Sequence, residues 1–333
     1  MKHTYLNESI NDIIKSHIAD DINIAHFLMD ILNISRESAY RRLRNEILYS
    51  MKEVAILASR LNFSLDEILS DINEHSNSIS ARALIKEATP ADNYIEMMRS
   101  TLNVVDARSS DRNIRAFYVG NKIPNNMLLN FKLLTKLRYI RWIHQTHNLP
   151  INSRFADIAI PLSVEKIHKE YLEANRNIKQ ITCIFDENII EAVINTIKFY
   201  YRRHLITNDE VLIMKKEIHM LIDRLGETSR LGKNPRDIEC IYYLSDLNIE
   251  SNILFFEFDK DMSVHLLSSG KMPVVSSNIR VCEEQKLWIN SLLRFSVLIS
   301  GSNELLLNNF IMKQHNLVNI QLQQLLENEV YTI

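Results

Sequence analysis

A chain of 333 residues with only 5 glycines and 6 prolines is poor in the residues that make tight turns, which drives it toward helices. Glycine reaches positive φ without strain, and proline ends regular structure. An all-β sandwich needs many such turns. Loops that cradle phosphate through backbone N–H groups need glycines as well, and G-x-G-x-x-G, G-x-x-x-x-G-K-[ST] and G-x-S-x-G are all absent from the sequence. Hydrophobic residues make up 46 % of the chain, enough for a sizeable core, and the length suits two or three domains.

The formal net charge is −2. That excludes a wholly basic nucleic-acid coat protein but leaves room for a local basic site. Cys183, Cys240 and Cys282 are far apart and form no C-x-x-C, so neither a disulfide framework nor a structural zinc site is expected. Reduced cysteines suit the cytoplasm. No apolar stretch follows a basic start, so no signal peptide is expected. The longest apolar runs, Ile189–Ile197 and Leu292–Ser300, are too short to span a bilayer.

Helical spacing of apolar residues dominates the first 72 residues. Ile10, Ile13, Ile14 and His17 mark a helix over Asn7–Ile18. Ile24, Phe27, Leu28, Ile31 and Leu32 mark a second over Asn23–Leu32. Ser35–Arg44 is a third, and Met51–Leu61 a fourth with Val54, Leu57, Ala58 and Leu61 on one face. Ser64 and Glu67 form a capping-box pattern for a fifth, Leu65–Leu69. Asp71–Ser80 is polar and reads as a linker.

Within this region the stretch Ser35–Arg44 carries the chemistry. Ser35 suits an N-cap. Ala39 and Leu43 are four apart, so they share one inward face, with Tyr40 at its edge. Asn33 sits in the preceding turn, where it tolerates positive φ. The outward positions hold Arg36, Glu37, Ser38, Arg41, Arg42 and Arg44. Arginines at this density suit bidentate contacts to guanine and to phosphates. Against that, residues 1–70 carry eight basic and ten acidic side chains, so non-specific affinity is expected to be modest and a dimer to be needed.

The stretch "LNISRESAYRRLRNE" resembles the helix-turn-helix core of bacterial regulators, with a recognition helix similar to the Fis type. The flanking "SMKEVAILASRLNFSLDEIL" resembles the end of the phage-repressor (Cro/C1, lambda-repressor-like) domain. The resemblance covers some 50–70 residues. It implies a DNA-binding set of Ser35, Arg36, Glu37, Ser38, Arg41, Arg42 and Arg44. Arg36, Glu37, Ser38 and Arg41 match base-facing positions, and Arg42 and Arg44 match phosphate contacts. Met29 stands where that family usually has a small residue, and Asn33 where it has glycine.

The remainder mixes classes. Ile114–Val119 and Ile181–Phe185 read as strands. Asn125–His144, Val164–Ala174, Glu187–Arg203 and Asp209–Leu225 read as helices. Gly226–Asp237 reads as the strongest loop, with a possible sub-boundary inside it, and Glu239–Leu244, Ile253–Phe258 and Val264–Leu267 as a β meander. Cys282–Ser300 and Asn303–Asn328 read as closing helices. Asn130–His144 is basic and amphipathic: Lys132, Lys136, Arg138 and Arg141 mix with Phe131, Tyr139 and Trp142, which suits either a packed helix with solvated cations or a grip on an acidic ligand. Lys198–His204 has similar character. Ile311, Val318 and Leu325 recur every seven residues, which fits a homodimer helix or packing within one chain. Ser302 reads as the cap of the last helix.

The fold class expected is mainly α with an α+β C-terminal portion: a helix-turn-helix bundle of about five helices over 1–72, a linker over 73–90 and a mixed regulatory or dimerisation module over 91–333. The function expected is sequence-specific binding of double-stranded DNA by a cytoplasmic bacterial transcription regulator, a homodimer, with a small-molecule or protein effector at the C-terminal module. No catalytic residue, metal site, cofactor or membrane contact is expected. Two rivals stand beside it: a protein–protein adaptor using the N-terminal bundle, and an enzyme housed in the C-terminal module.

Overall fold

The computed structural model describes residues 2–17, 23–61, 80–81, 88–106, 113–147, 150–267, 273–301 and 303–327. The chain divides into two compact units, Met1–Ser80 and Ala81–Ile333. The first is helical; the second is an α/β unit with a mixed sheet. The helix proposed over Leu65–Leu69 with Ser64 and Glu67, the linker residues 71–79 and the capping Ser302 lie outside the described residues.

In the first unit α1 (Lys2–His17), α2 (Ile24–Leu32), α3 (Arg36–Leu43) and α4 (Met51–Leu61) enclose a small core. Its fully buried members include Ile10, Ile14, Leu28, Ala39 and Leu57. Each helix contributes the residues that its 3.6-residue period aligns on one side. Met29 is accommodated at the edge of this core, partly buried.

The second unit opens with α5 (Pro90–Asp106), where Thr89 and Asp92 bond each other's backbone N–H groups at 3.2 Å. Then follow β1 (Ile114–Gly120), the short α6 (Asn125–Leu128), α7 (Lys132–Thr146), α8 (Leu162–Ala174) and β2 (Ile178–Phe185). Next come α9 (Glu191–Tyr201), α10 (Asn208–Leu231), β3 (Glu239–Ser245), β4 (Ile253–Glu257), β5 (Met262–Leu266), β6 (Val274–Ser276), α11 (Ile279–Leu293), β7 (Ser296–Leu298) and α12 (Glu304–Glu327). Within the eight-stranded sheet these seven order as β6-β5-β4-β1-β2-β3-β7, and the eighth is the two-residue strand Ser80–Ala81. β1, β2 and β3 are parallel, with Ala116 opposite Ile181 and Ile181 opposite Cys240. β4 to β6 and β7 flank them antiparallel.

Side chains alternate across the sheet, as the period of two requires. Ala116, Tyr118, Cys183 and Tyr242 join a large core with α5, α7, α8, α9, α10 and α12. Val119, Ile184, Phe255 and Val264 join a smaller one with α11 through Cys282, Ile289 and Leu292.

Several expectations are corrected here. The stretch Gly226–Asp237 is not a loop throughout, because α10 runs on to Leu231 and ends at Gly232, whose φ of 66° is the left-handed helix cap. Residues 226–237 lie within the compact unit Ala81–Ile333. The meander contains only β4, β5 and β6; β3 instead returns through α9 and α10 to lie parallel to β2. The portion therefore mixes both kinds of pairing, with parallel strands at its centre and antiparallel strands on its flanks. The long helix over Asn125–His144 is broken before Lys132. The stretch Cys282–Ser300 leaves the helix after Leu293 and ends as β7.

Candidate nucleic-acid interface

α2 and α3 are joined by a turn at Asn33, whose backbone is left-handed at φ 52° and ψ 51° and whose N–H bonds Met29 O. Asn adopts this conformation more readily than other non-glycine residues because its short polar side chain bonds locally. Ser35 is extended, and its Oγ accepts from the Ser38 N–H at 3.3 Å. Asn23 caps α2 in the same way, accepting from Ala25 at 3.0 Å. Ala39 is wholly buried under α2, so α3 can approach closely and turn its other faces outward.

Those outward faces hold Ser35, Arg36, Glu37 and Arg41, all exposed, with Ser38 half-buried. The Arg36 guanidinium lies 5.7 Å from the centre of the Tyr40 ring, a cation–π contact that holds it at the N-terminal half of the helix. Arg41 and Arg44 are 47 % and 60 % exposed and share Glu46, at 3.4 and 2.8 Å. At this exposure the shared carboxylate holds them weakly and can exchange them for another anion.

Arg42 is different. It is buried, its Nη2 donates to Glu53 Oε1 at 2.8 Å, and its Nη1 donates to Ser38 Oγ at 2.5 Å. Assigned to a phosphate contact from the resemblance, it instead ties α3 to the start of α4. Glu53 also caps α4, accepting from the Ser50 N–H at 2.7 Å. Burial pushes the Glu53 carboxyl up, but Ser50 and Arg42 together hold it below the usual carboxylate range.

The residues that fix the far end of α3 were not foreseen. Asn7 and Asn11 of α1 are buried. Their amides donate to Arg42 O at 3.2 and 3.1 Å and to Asn45 Oδ1 at 2.8 and 2.9 Å. In return Asn7 accepts from the Tyr49 N–H at 3.0 Å, and Asn11 from the Tyr49 hydroxyl at 2.9 Å. These bonds add side-chain donors to a carbonyl that lacks its i+4 helical partner and that also accepts from the Asn45 N–H at 3.0 Å. A signal was present: Asn7 and Asn11 are four apart on the face that Ile10 and Ile14 define.

Of the other basic segments, α7 packs Tyr139 and Trp142 inward, and Arg138 and Arg141 go partly inward with them. Of the Lys198–His204 cations, Arg203 lies over the Phe199 ring. The heptad face of α12 is buried within its own chain through Ile311, Val318 and Leu325. The three cysteines are free and buried. Among the described residues no group of three or more His, Cys, Asp and Glu is placed to hold a metal ion. Among them, too, no helix is long and apolar enough to cross a membrane. No protein-family model matches the chain, nor does any curated protein or solved structure.

Proposed function

We propose that this chain is a sequence-specific DNA-binding protein, a bacterial transcription regulator of the cytoplasm, whose reading helix is α3. The observation that carries the reading is the α2–Asn33–α3 unit. A left-handed turn, a serine cap and a buried alanine leave Ser35, Arg36, Glu37 and Arg41 exposed on one helix. In a helix-turn-helix the second helix lies in the major groove with its N-terminal residues on base edges. Arg36 and Arg41 supply bidentate donors there, Ser35, Ser38 and Glu37 line the same approach, and Arg44 serves a phosphate. Arg42 is left out of the contact set because Glu53 holds it. One helix covers a half-site, so the protein acts as a homodimer.

The test is fluorescence anisotropy of the full-length protein with duplexes selected from a random library, at two salt concentrations. The expected result is tight binding to a selected sequence that falls steeply with salt. The Arg36→Ala, Arg41→Ala double variant is expected to lose about tenfold or more in affinity while melting as the parent does. DNA binding that survives this variant overturns the assignment of α3 as the reader, and no salt-dependent binding at all overturns DNA binding and favours a protein–protein adaptor.

A further inference from the structure

The second unit holds a cavity of about 190 Å³ between the sheet and α5, α7 and α9, many times the space that one water requires. Its walls are apolar through Met98, Leu137, Ile181 and Phe256. Three cations line it as well: Lys122 from the turn after β1, and Arg138 and Arg141 from one face of α7. Among the described residues that line it there is no Asp or Glu. Three like charges gathered against an apolar wall without a carboxylate are unfavourable by themselves, because burial disfavours each charge and each disfavours the others.

Arg138 is engaged: its Nε donates to Asn125 Oδ1 at 2.7 Å, and its Nη1 donates to the Tyr94 hydroxyl. Arg141 is not satisfied in this way. Its Nη1 reaches Thr196 Oγ1 only at 3.5 Å, and its Nε is shut off from solvent with no hydrogen-bond partner. Trp142, the next residue and also part of the lining, has an indole N–H in the same condition. A shielded donor without an acceptor is costly. Burial and the neighbouring Arg138 push Arg141 down from its ordinary range, and burial with Arg141 does the same to Lys122.

We propose that this cavity is a binding site for a small organic carboxylate, an acidic head on an apolar body, with the head on the Arg141 guanidinium and the body against Leu137, Ile181 and Phe256. A guanidinium edge offers two parallel N–H groups that match the two oxygens of a carboxylate. Lys122 adds charge at the head, and the apolar walls reject a freely hydrated inorganic ion. The binding stands independently of the DNA-reading proposal; only the use of the site as an effector switch rests on that reading.

Isothermal titration of the full-length protein tests it with phenylacetate and hexanoate, their neutral amides phenylacetamide and hexanamide, and inorganic phosphate. The expected result is saturable binding of at least one carboxylate, its amide weaker by about tenfold or more, and no competition from phosphate. Arg141→Met is expected to lose about tenfold or more in carboxylate affinity and to melt higher than the parent without ligand, since it removes a shielded donor that has no acceptor. A purely structural arginine predicts the opposite shift in melting. If Arg141→Met does not fold, Lys122→Met provides the same test, with affinity expected to fall severalfold. Failure of both carboxylates to bind, equal binding of the amides, or unchanged affinity in the folded variants overturns the proposal.

Discussion

Arg42 and its neighbours on α3 look alike in the sequence, yet burial separates them. Arg36, Arg41 and Arg44 stay in water, whereas Arg42 pairs with Glu53 where both side chains are nearly covered, at 11 % and 15 % exposure. Removing one partner of a buried pair leaves the other charged and shielded, which costs about 3 kcal/mol. Arg42→Ala is therefore expected to raise hydrogen exchange at the α3 amides in the free protein, whereas Arg41→Ala is expected to leave it unchanged. The Asn7 and Asn11 amides make a related case. Asn11→Leu strands the Tyr49 hydroxyl and removes donors from the end of α3, and a loss of about 1–3 kcal/mol is expected, readable in denaturant unfolding.

Helix length, at the scale of elements, was misjudged where glycine was taken as a breaker. Gly226 instead continues α10, buried against α12, where an added Cβ would make close but ordinary contact with Ile311 at 3.4 Å. Gly232 does end the helix, and its role is conformational rather than steric. No atom stands within 4 Å of a Cβ built on it, yet its φ is +66°. Gly232→Ala is expected to cost about 1–2 kcal/mol from backbone strain alone, a loss that chemical denaturation can measure. Asn33 and Asn45, also left-handed at φ 52° and 62°, bracket α3 in the first unit and set where it starts and stops.

Two buried histidines make the whole molecule sensitive to acid. His168 accepts or donates at the Tyr94 hydroxyl at 2.9 Å, and His265 contacts Ser263 Oγ at 3.2 Å under the Phe256 ring. Burial, helped by Arg138, lowers His168 to about 4, and burial alone lowers His265 to about 4. A histidine held neutral in the folded state but free to charge in the unfolded one favours unfolding as pH falls below the unfolded value of about 6.5. Stability is expected to be intact above that value and to decline between pH 6.5 and 4, by on the order of 3 kcal/mol for each histidine. His265→Phe is expected to narrow that decline, as thermal melts across the range can show.

The sequence by itself determined the features that are local. The four helices of the first unit, the turn at Asn33, the Ser35 cap and the inward Ala39 follow from periodicity and from side chains that bond their own backbone, so no distant partner is needed to read them. The strands read as Ile114–Val119 and Ile181–Phe185 were legible from apolar runs for the same reason, the second starting three residues earlier in the structure, at Ile178. Only the tertiary structure decided which elements meet. It placed β3 beside β2 rather than β4, because a buried strand pairs wherever its two faces find cover. It turned Arg42 inward to Glu53, brought Asn7 and Asn11 to the end of α3, and gathered Lys122, Arg138 and Arg141 around one cavity. A charge shows its identity in sequence, but its burial and its partner depend on residues dozens of positions away, which no short-range pattern encodes.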